Sequence, residues 1–186
     1  MNKAELRLSI KKGKLNISHK ERESASILVM NKIETLTQFK EAKNILLYNA
    51  LPDELPTDCM LEKWNGSKEI FLPVVVGDNL VIKKYNKKLL RVGAFGIFEP
   101  EGDEVEIGLI DLIIVPGVAF DRNLNRLGRG KGYYDRLLTN SNAYFIGIWY
   151  DMQVVDSITT EPHDIKMNCI ITEREILWKN YFYRLP

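Results

Sequence analysis

A glycine-rich basic segment carries the most specific chemical pattern in this chain. It reads RLGRGKGYYD over positions 126–135, with glycines alternating with basic residues: Arg126, Gly128, Arg129, Gly130, Lys131 and Gly132. Glycine lets a backbone approach an anion closely, and unpaired N–H groups at the start of a helix attract negative charge. The segment follows an apolar strand and precedes Tyr133 and Tyr134, where a helix is expected to begin. We therefore predict a phosphate-binding loop whose ligand is a triphosphate.

Two better-known phosphate motifs do not describe this loop. A Walker A loop ends in Gly-Lys followed by Ser or Thr, whereas Lys131 is followed by Gly132. The dinucleotide fingerprint has the spacing G-x-G-x-x-G, whereas these glycines are spaced G-x-G-x-G. In a phosphate-binding loop, Arg129 and Lys131 would neutralise charge on a transferring phosphoryl group. The alternative is a basic surface turn without a ligand.

Two carboxylates are candidates for binding Mg²⁺. Asp135 directly follows the loop, and beside a triphosphate it would repel the ligand unless a cation lay between them. Mg²⁺ usually takes one or two protein carboxylates together with phosphate oxygens and water. Asp164, in Pro162-His163-Asp164, is the natural second carboxylate. The alternatives are that Asp135 only interacts with the positive helix end and that Asp164 only caps a turn.

Other charged residues have weaker cases. Glu54 follows a strand, where α/β sheets place ligands, and could accept hydrogen bonds from a heterocycle. From position alone, an exposed loop acid is the favoured interpretation of Glu54. A helical stripe also runs along the N-terminal segment: Lys3, Arg7, Lys11 and Lys14. We expect Lys11 and Lys14 to be solvated, while Lys3 and Arg7 matter if their helix docks on the glycine loop.

Alternating helices and apolar strands must position these residues. Expected helices cover Lys3–Lys12, the stretch from the capping box Ser18/Glu21 to about Phe39, the segment ending at Leu61, and Tyr133 to about Leu138. The second helix is expected to bury Ala25, Leu28, Val29, Ile33 and Leu36. Expected strands are Ile45–Tyr48, Ile70–Val76 with a hairpin to Ile82, Ile110–Val115, Tyr144–Tyr150 and Cys169–Thr172. Residues 83–108 are expected to cross the sheet edge, and residues 151–166 to form a loop.

This order of elements predicts one domain over residues 1–186. The fold class is α/β, a three-layer α/β/α sandwich around a mostly parallel, Rossmann-like sheet with ligands at the carboxyl ends of its strands. Cys59 and Cys169 lie in apolar contexts and are expected to be buried thiols rather than a disulfide. No apolar run is long enough to cross a membrane, so we expect a cytoplasmic protein without membrane association. We also expect a monomer.

Composition argues against a nucleic-acid partner. The chain has 186 residues, and its formal net charge is only +1, so no global field recruits RNA or DNA. A second basic cluster nevertheless keeps open a non-catalytic nucleic-acid-binding module on the same fold: Lys83, Lys84, Lys87, Lys88 and Arg91. No aromatic RNA-binding strand or arginine-rich tail supports this alternative. A sugar-phosphate isomerase-like enzyme would leave the carboxylates unexplained.

The segment FDRNLNRLGRGKGYYD resembles the signature of the 5-formyltetrahydrofolate cyclo-ligase family. The resemblance extends along nearly the whole chain. Four shorter elements follow in the family's order: Lys3-x-x-x-Arg7, Glu54-Leu55-Pro56-Thr57, the FGI-x-EP element Phe95–Pro100, and His163-Asp164. The glycine motif is specific, and the shorter elements gain weight from their order.

The resemblance implies conversion of 5-formyltetrahydrofolate to 5,10-methenyltetrahydrofolate, with ATP and Mg²⁺ as cofactors. It implies that ATP is bound by Lys3, Arg7, Arg126, Leu127, Gly128, Arg129, Gly130, Lys131, Gly132, Tyr133 and Tyr134. It places the folate against Asn49, Glu54, Arg129, Gly130, Lys131, Gly132 and Tyr133, the metal on Asp135 and Asp164, and catalysis on Arg129, Lys131 and Tyr134. The implied chemistry is phosphoryl transfer to the formyl oxygen, followed by ring closure and release of phosphate. The resemblance therefore favours a functional role for Glu54 over an exposed loop acid, and for Asp164 over a residue that only caps a turn.

The chain departs from the family pattern at two positions. Leu124 stands where the family usually has glycine; if that site requires a positive φ, leucine costs about 1–2 kcal/mol. Asn123 or Asn125 could adopt the left-handed conformation instead. Asn168 replaces a common aspartate, which is expected to lower the negative charge near the metal.

Overall fold

A computed structural model describes residues 1–178 and 181–184 of the chain. The helices are α1 Lys3–Lys14, α2 His19–Thr35, α3 Thr37–Glu41, α4 Asp58–Trp64 and α5 Tyr133–Thr139. The strands are β1 Asn44–Leu46, β2 Glu69–Val76, β3 Asn79–Lys84, β4 Leu90–Val92, β5 Phe98–Pro100, β6 Glu104–Val105, β7 Leu112–Val115, β8 Ala119–Asp121, β9 Arg126–Leu127, β10 Tyr144–Trp149, β11 Val154–Val155, β12 Cys169–Thr172, β13 Glu175–Trp178 and β14 Tyr181–Arg184. None of the helices in these ranges is long and apolar enough to cross a membrane.

Nine strands form the central sheet, in the order β14-β13-β12-β10-β7-β1-β2-β3-β6. The inner strands β12, β10, β7, β1 and β2 pair in parallel, and both flanks continue with antiparallel strands. The inner strands are almost entirely apolar because helices cover both faces of a parallel sheet. The predicted mostly parallel α/β sheet is therefore confirmed.

Side chains alternate between two cores along each inner strand. In β7, Leu112 and Ile114 pack with α2, α3 and α4 on one face, whereas Ile113 and Val115 pack with α5 on the other. All of these β7 side chains are fully buried. A period of two residues directs successive side chains to opposite faces, so the central sheet is the middle of three layers, as predicted.

A smaller sheet joins α1 to the rest of the molecule. Its strands are ordered β11-β8-β9, and Leu6 and Ile10 of α1 pack against Val118, Ala119 and Leu127. An Asn2/Glu5 capping box begins α1. This packing brings the basic residues of α1 to the segment that carries the glycine loop.

The second predicted helix differs from the structure in two ways. It is divided at Leu36, whose ψ of 137° is extended, so α3 is a separate helix. This break allows Phe39 of α3 to pack on Trp64, with ring centroids 4.7 Å apart. Leu28 is 47% exposed, so its predicted burial is wrong; at 100° per residue it lies outside the arc that carries Ala25, Val29 and Ile33.

Several segments predicted as loops contain short strands. Residues 83–108 include β4, β5 and β6, and β6 pairs with β3 as an additional strand at the edge of the sheet, which was not predicted. Arg126 and Leu127 belong to β9 rather than to the loop, and β11 interrupts residues 151–166. The β13–β14 hairpin was not predicted. Strands of two to four residues give too few positions for a periodic signal.

Candidate functional site

A cavity of about 320 Å³ opens at the carboxyl ends of β1, β2 and β7. Its lining includes residues from the glycine loop, from the segment after β1 and from the β4–β5 hairpin: Asn49, Glu54, Phe95, Glu99, Arg126, Gly128, Arg129, Lys131, Gly132, Tyr133, Tyr134 and Asp135. This is the position at which open α/β sheets bind ligands. The structure thus brings most of the predicted site residues into one cavity.

The glycine loop exposes its backbone donors. The N–H groups of residues 128–132 make no hydrogen bond with any residue that the structure describes. Gly130 and Gly132 have φ values of 96° and 66°, which side chains disfavour. Arg7 Nε donates to the Gly128 carbonyl at 2.8 Å, so α1 does dock on the loop. The loop has the open donor geometry that an anion requires.

Arg126 is the buried cation of the site. Its side chain is 4% exposed, and its Nη2 lies 2.8 Å from Asp135 Oδ1. Its guanidinium lies 5.7 Å from the centre of the Tyr134 ring. Arg126 Nε has no hydrogen-bond partner among the described residues, although it is buried. A buried donor without a partner is unusual, and a bound anion would satisfy it.

Lys131 and the two tyrosines complete the loop side of the cavity. Lys131 is exposed and makes no ion pair with a described residue, so its charge is available to a ligand. Tyr133 lies 5.6 Å from the Arg136 guanidinium, and its hydroxyl is 3.4 Å from the Gly77 carbonyl. Burial raises the pKa of Tyr134 far above its ordinary value, so Tyr134 stays a neutral hydrogen-bond donor.

Glu54 is buried, so the expectation from its position in the sequence, that it is an exposed loop acid, is wrong. Its side chain is 7% exposed, Oε2 accepts from Leu51 N–H at 3.0 Å, and Oε1 accepts from Arg129 Nε at 3.2 Å. Burial raises the pKa of Glu54, and the contacts with Leu51 and Arg129 oppose that shift. A buried carboxylate facing a cavity is suited to accepting hydrogen bonds from ring N–H groups.

Arg129 is shared between two carboxylates. Its Nη2 lies 3.1 Å from Glu54 Oε1 and also donates to Asp53 Oδ1. Although partial burial disfavours the charge of Asp53, hydrogen bonds from Lys14 and Arg129 hold the pKa of Asp53 below its ordinary value. Asp53 was not among the candidate residues. Its adjacency to Glu54 was the only signal in the sequence.

Lys14 contradicts the expectation of a solvated stripe. It is 3% exposed, and its ammonium lies 2.7 Å from Asp53 Oδ2 and 5.7 Å from the centre of the Trp149 ring. Lys11 is exposed, as predicted. The stripe is divided because α1 turns its end towards the segment that carries Glu54.

The β4–β5 hairpin adds residues that were not predicted as site residues. Glu99 is buried and lines the cavity, and its Oε1 lies 3.5 Å from Val75 N. Phe95 lines the cavity at 63% exposure with a φ of 60°. The Phe98 carbonyl accepts from Asn49 Nδ2 at 2.9 Å, which fixes Asn49 at the cavity. The FGI-x-EP element marked this hairpin but indicated no role for its residues.

The two candidate metal ligands have different surroundings. Asp135 lines the cavity and is paired with Arg126. Asp164 Oδ2 accepts from Lys3 Nζ at 2.9 Å and from Glu161 N–H at 2.8 Å, and Asp164 is not part of the cavity lining. Within the described residues no group of three or more potential ligands could hold a metal by itself. An ion here would therefore need oxygens from a substrate, as Mg²⁺ beside phosphates does.

Leu124 itself adopts the left-handed conformation, with a φ of 66° and a side chain that is 3% exposed. The suggestion that a neighbouring asparagine takes this conformation is therefore wrong. Buried Asp121 explains the neighbours' conformation, because its carboxylate accepts from the backbone N–H groups of Asn123, Asn125 and Ile158 and from the Asn125 amide. The loop before Arg126 is thus built around one carboxylate.

Asn168 does not belong to the cavity. Its Oδ1 accepts from Phe145 N–H at 2.7 Å, at the amino ends of β10 and β12. The cavity lies at the carboxyl ends of the parallel strands. Asn168 therefore lies outside the cavity lining, and its expected effect on the charge near the metal stays a prediction.

Comparison with known proteins identifies the family. The model of the 5-formyltetrahydrofolate cyclo-ligase family matches residues 1–173. The chain belongs to this family. A 5-formyltetrahydrofolate cyclo-ligase from Haemophilus influenzae is 31% identical over 174 residues, covering 88% of this chain and 93% of that protein. A probable 5-formyltetrahydrofolate cyclo-ligase from Schizosaccharomyces pombe is 30% identical over 178 residues, covering 83% of this chain and 87% of that protein.

Solved structures agree with this assignment. A 5,10-methenyltetrahydrofolate synthetase from Aquifex aeolicus has a TM-score of 0.88 at 35% identity, covering 100% of this chain and 97% of that one. A second, from Mycoplasma pneumoniae, has a TM-score of 0.77 at 27% identity, covering 93% and 99%. The predicted family, enzyme class and fold are thereby confirmed.

Proposed function

We propose that this chain is an ATP- and Mg²⁺-dependent 5-formyltetrahydrofolate cyclo-ligase that forms 5,10-methenyltetrahydrofolate. Membership of the family supports the reaction. The observation that carries the proposal is the set of residues that line one cavity. It combines an open cationic loop, suited to phosphates, with the buried carboxylate of Glu54, suited to a heterocycle. ATP supplies the phosphoryl group that activates the otherwise unreactive formyl oxygen.

The loop residues bind and neutralise phosphate in this proposal. The unbonded N–H groups of residues 128–132 and the Nε of Arg126 donate hydrogen bonds to the anion, and Lys131 adds a positive charge. Lys3 and Arg7 join this group from α1, and Leu127 holds the loop on that helix. Catalysis then rests on alignment and charge neutralisation, without a covalent nucleophile.

The folate side is assigned to Glu54, Asn49 and Tyr133. Glu54 accepts hydrogen bonds from the substrate ring, while Arg129 lies between this carboxylate and the loop. Tyr134 remains protonated and donates a hydrogen bond near the reacting oxygen. The largely apolar remainder of the wall, including Phe95, excludes water from the reaction.

Mg²⁺ is assigned to Asp135 and Asp164. Arg126 donates to Asp135 Oδ1, whereas Asp135 Oδ2 makes no hydrogen bond with a described residue. Asp164 forms an ion pair with Lys3, a residue that this proposal assigns to ATP. When bound, the ion would neutralise negative charge on the phosphates. Location in the cytoplasm and a monomeric state remain predictions.

The direct test mixes the purified protein with 5-formyltetrahydrofolate, ATP and Mg²⁺. We expect the near-ultraviolet absorbance of the methenyl product to appear, and to require both ATP and the metal. A folded protein that forms no product would contradict the proposal. If that protein also bound RNA in a salt-sensitive manner, the nucleic-acid-binding alternative, which the family assignment does not favour, would be preferred.

Substituting Lys131 tests the assignment of the loop. Lys131→Ala should lower turnover by about 100-fold or more, the effect of removing one group that stabilises transition-state charge. Its melting temperature should equal that of the parent because the ammonium has no partner among the described residues. Lys87→Ala, which removes an exposed lysine outside the cavity lining, is the matched control and should retain full activity. Unchanged turnover of Lys131→Ala would remove this residue from the mechanism.

A further inference from the structure

Arg129 needs an external support to act on a substrate. Its side chain is 41% exposed, so packing alone does not fix a guanidinium on a long flexible stem. The guanidinium is planar and carries five N–H donors. Carboxylates bound to one edge of this plane therefore determine the direction in which the other edge points. The position of Arg129 therefore depends on the groups that hold it.

Two carboxylates occupy the same edge of this guanidinium. Nε donates to Glu54 Oε1 at 3.2 Å, and Nη2 lies between Glu54 Oε1 and Asp53 Oδ1. Nη1 makes no hydrogen bond with a described residue, which leaves its two N–H groups to a ligand. If the substrate ring shares Glu54, Asp53 is the support that remains.

Asp53 is itself anchored to the core. Lys14 Nζ donates to Asp53 Oδ2 at 2.7 Å and to the Asp53 carbonyl at 2.8 Å. The Lys14 side chain is 4% exposed and lies above the ring of fully buried Trp149. Ion pairs of alternating charge thus extend from the core to the cavity, in the order Lys14, Asp53, Arg129 and Glu54.

We infer that Asp53, anchored by Lys14, is a positioning residue that holds Arg129 so that Nη1 meets the phosphates of ATP. The inference rests on the proposed function. Asp53 acts through Arg129 and does not touch the reacting atoms. With Asp53 holding Arg129, the remaining acceptor capacity of Glu54 can serve the folate ring while Arg129 stays in place.

The test is the affinity for ATP with Mg²⁺, measured by calorimetry without folate, together with KM and kcat for both substrates. Asp53→Asn should weaken ATP binding and raise the KM for ATP at least fivefold, with a smaller change in kcat. Removing a negative charge near ATP would by itself strengthen binding, so weaker binding points to lost positioning. Asp53→Glu should recover part of the affinity. Asp103→Asn, at an exposed aspartate outside the cavity lining, is the matched control and should bind ATP normally.

A double-mutant cycle separates positioning from general damage. In an Arg129→Ala background, Asp53→Asn should change ATP affinity less than twofold, since there is no guanidinium left to position. If Asp53→Asn strands the buried ammonium of Lys14 and unfolds the protein, the Lys14→Met/Asp53→Asn variant removes both charges and gives the same comparison.

Unchanged or tighter ATP binding by Asp53→Asn, or additive losses in the double variant, would overturn the inference. The parent enzyme keeps this result distinct from the proposed function. If the parent turns over 5-formyltetrahydrofolate and Asp53→Asn behaves like the parent, only the role of Asp53 is contradicted. A folded parent without turnover sinks the proposed function.

Discussion

Leu124 occupies a backbone conformation that L-residues avoid, and this reverses the usual ranking of alanine and glycine. Its φ is 66°, and its side chain is 3% exposed within the core that also contains Leu138 of α5. Leu124→Ala loses buried side-chain atoms, costing about 2–5 kcal/mol, and keeps the strained Cβ. Leu124→Gly relieves about 1–2 kcal/mol of strain and adds about 0.5–1 kcal/mol of chain entropy. The glycine variant should therefore be more stable than the alanine variant by about 0.5–1 kcal/mol.

Urea denaturation of the two variants measures this difference as free energies of unfolding. Leu138→Ala and Leu138→Gly are the matched pair, because Leu138 is 2% exposed in the same core but lies within a helix. There the glycine variant should be less stable by about 1 kcal/mol. The order of alanine and glycine should thus be opposite at the two positions. An alanine variant at position 124 that is as stable as the glycine variant, or more so, would refute the strain argument.

Two further predictions concern charges in the cavity. Because burial raises the pKa of Glu54, the folded state keeps the proton of this carboxyl group to higher pH than the unfolded state does. As pH rises from weakly acidic to neutral, the free energy of unfolding of the parent should therefore fall relative to that of Glu54→Gln. A difference in urea stability that is constant or grows with pH would contradict this. Arg126→Met should cost about 3 kcal/mol by leaving the carboxylate of Asp135 unpaired, and Arg126→Met/Asp135→Leu should be less destabilised than the single variant. If thermal unfolding showed the double variant to be as destabilised as Arg126→Met, or destabilised by the sum of the losses of Arg126→Met and Asp135→Leu, the two residues would not be a coupled pair.

The sequence by itself determined the elements whose signals are local. The apolar inner strands, the Ser18/Glu21 capping box and the hairpin between β2 and β3 depend on residues that are neighbours along the chain. The glycine loop is local in the same sense, since the positive φ values of Gly130 and Gly132 favour glycine at those two positions. The α/β class and the position of the cavity follow from the order of these elements.

Only the tertiary structure decided which charges are buried and which are paired. Glu54 and Lys14 look like ordinary surface residues in the sequence, yet both are buried because α1 and the segment after β1 pack together. Arg129 meets Asp53 across 76 positions of the chain, and no local pattern specifies such a pair. Leu124 shows the same limit, since a strained φ persists only where contacts that are distant in sequence enforce it. Burial and charge pairing are sums over neighbours in space, and the sequence gives neighbours along the chain.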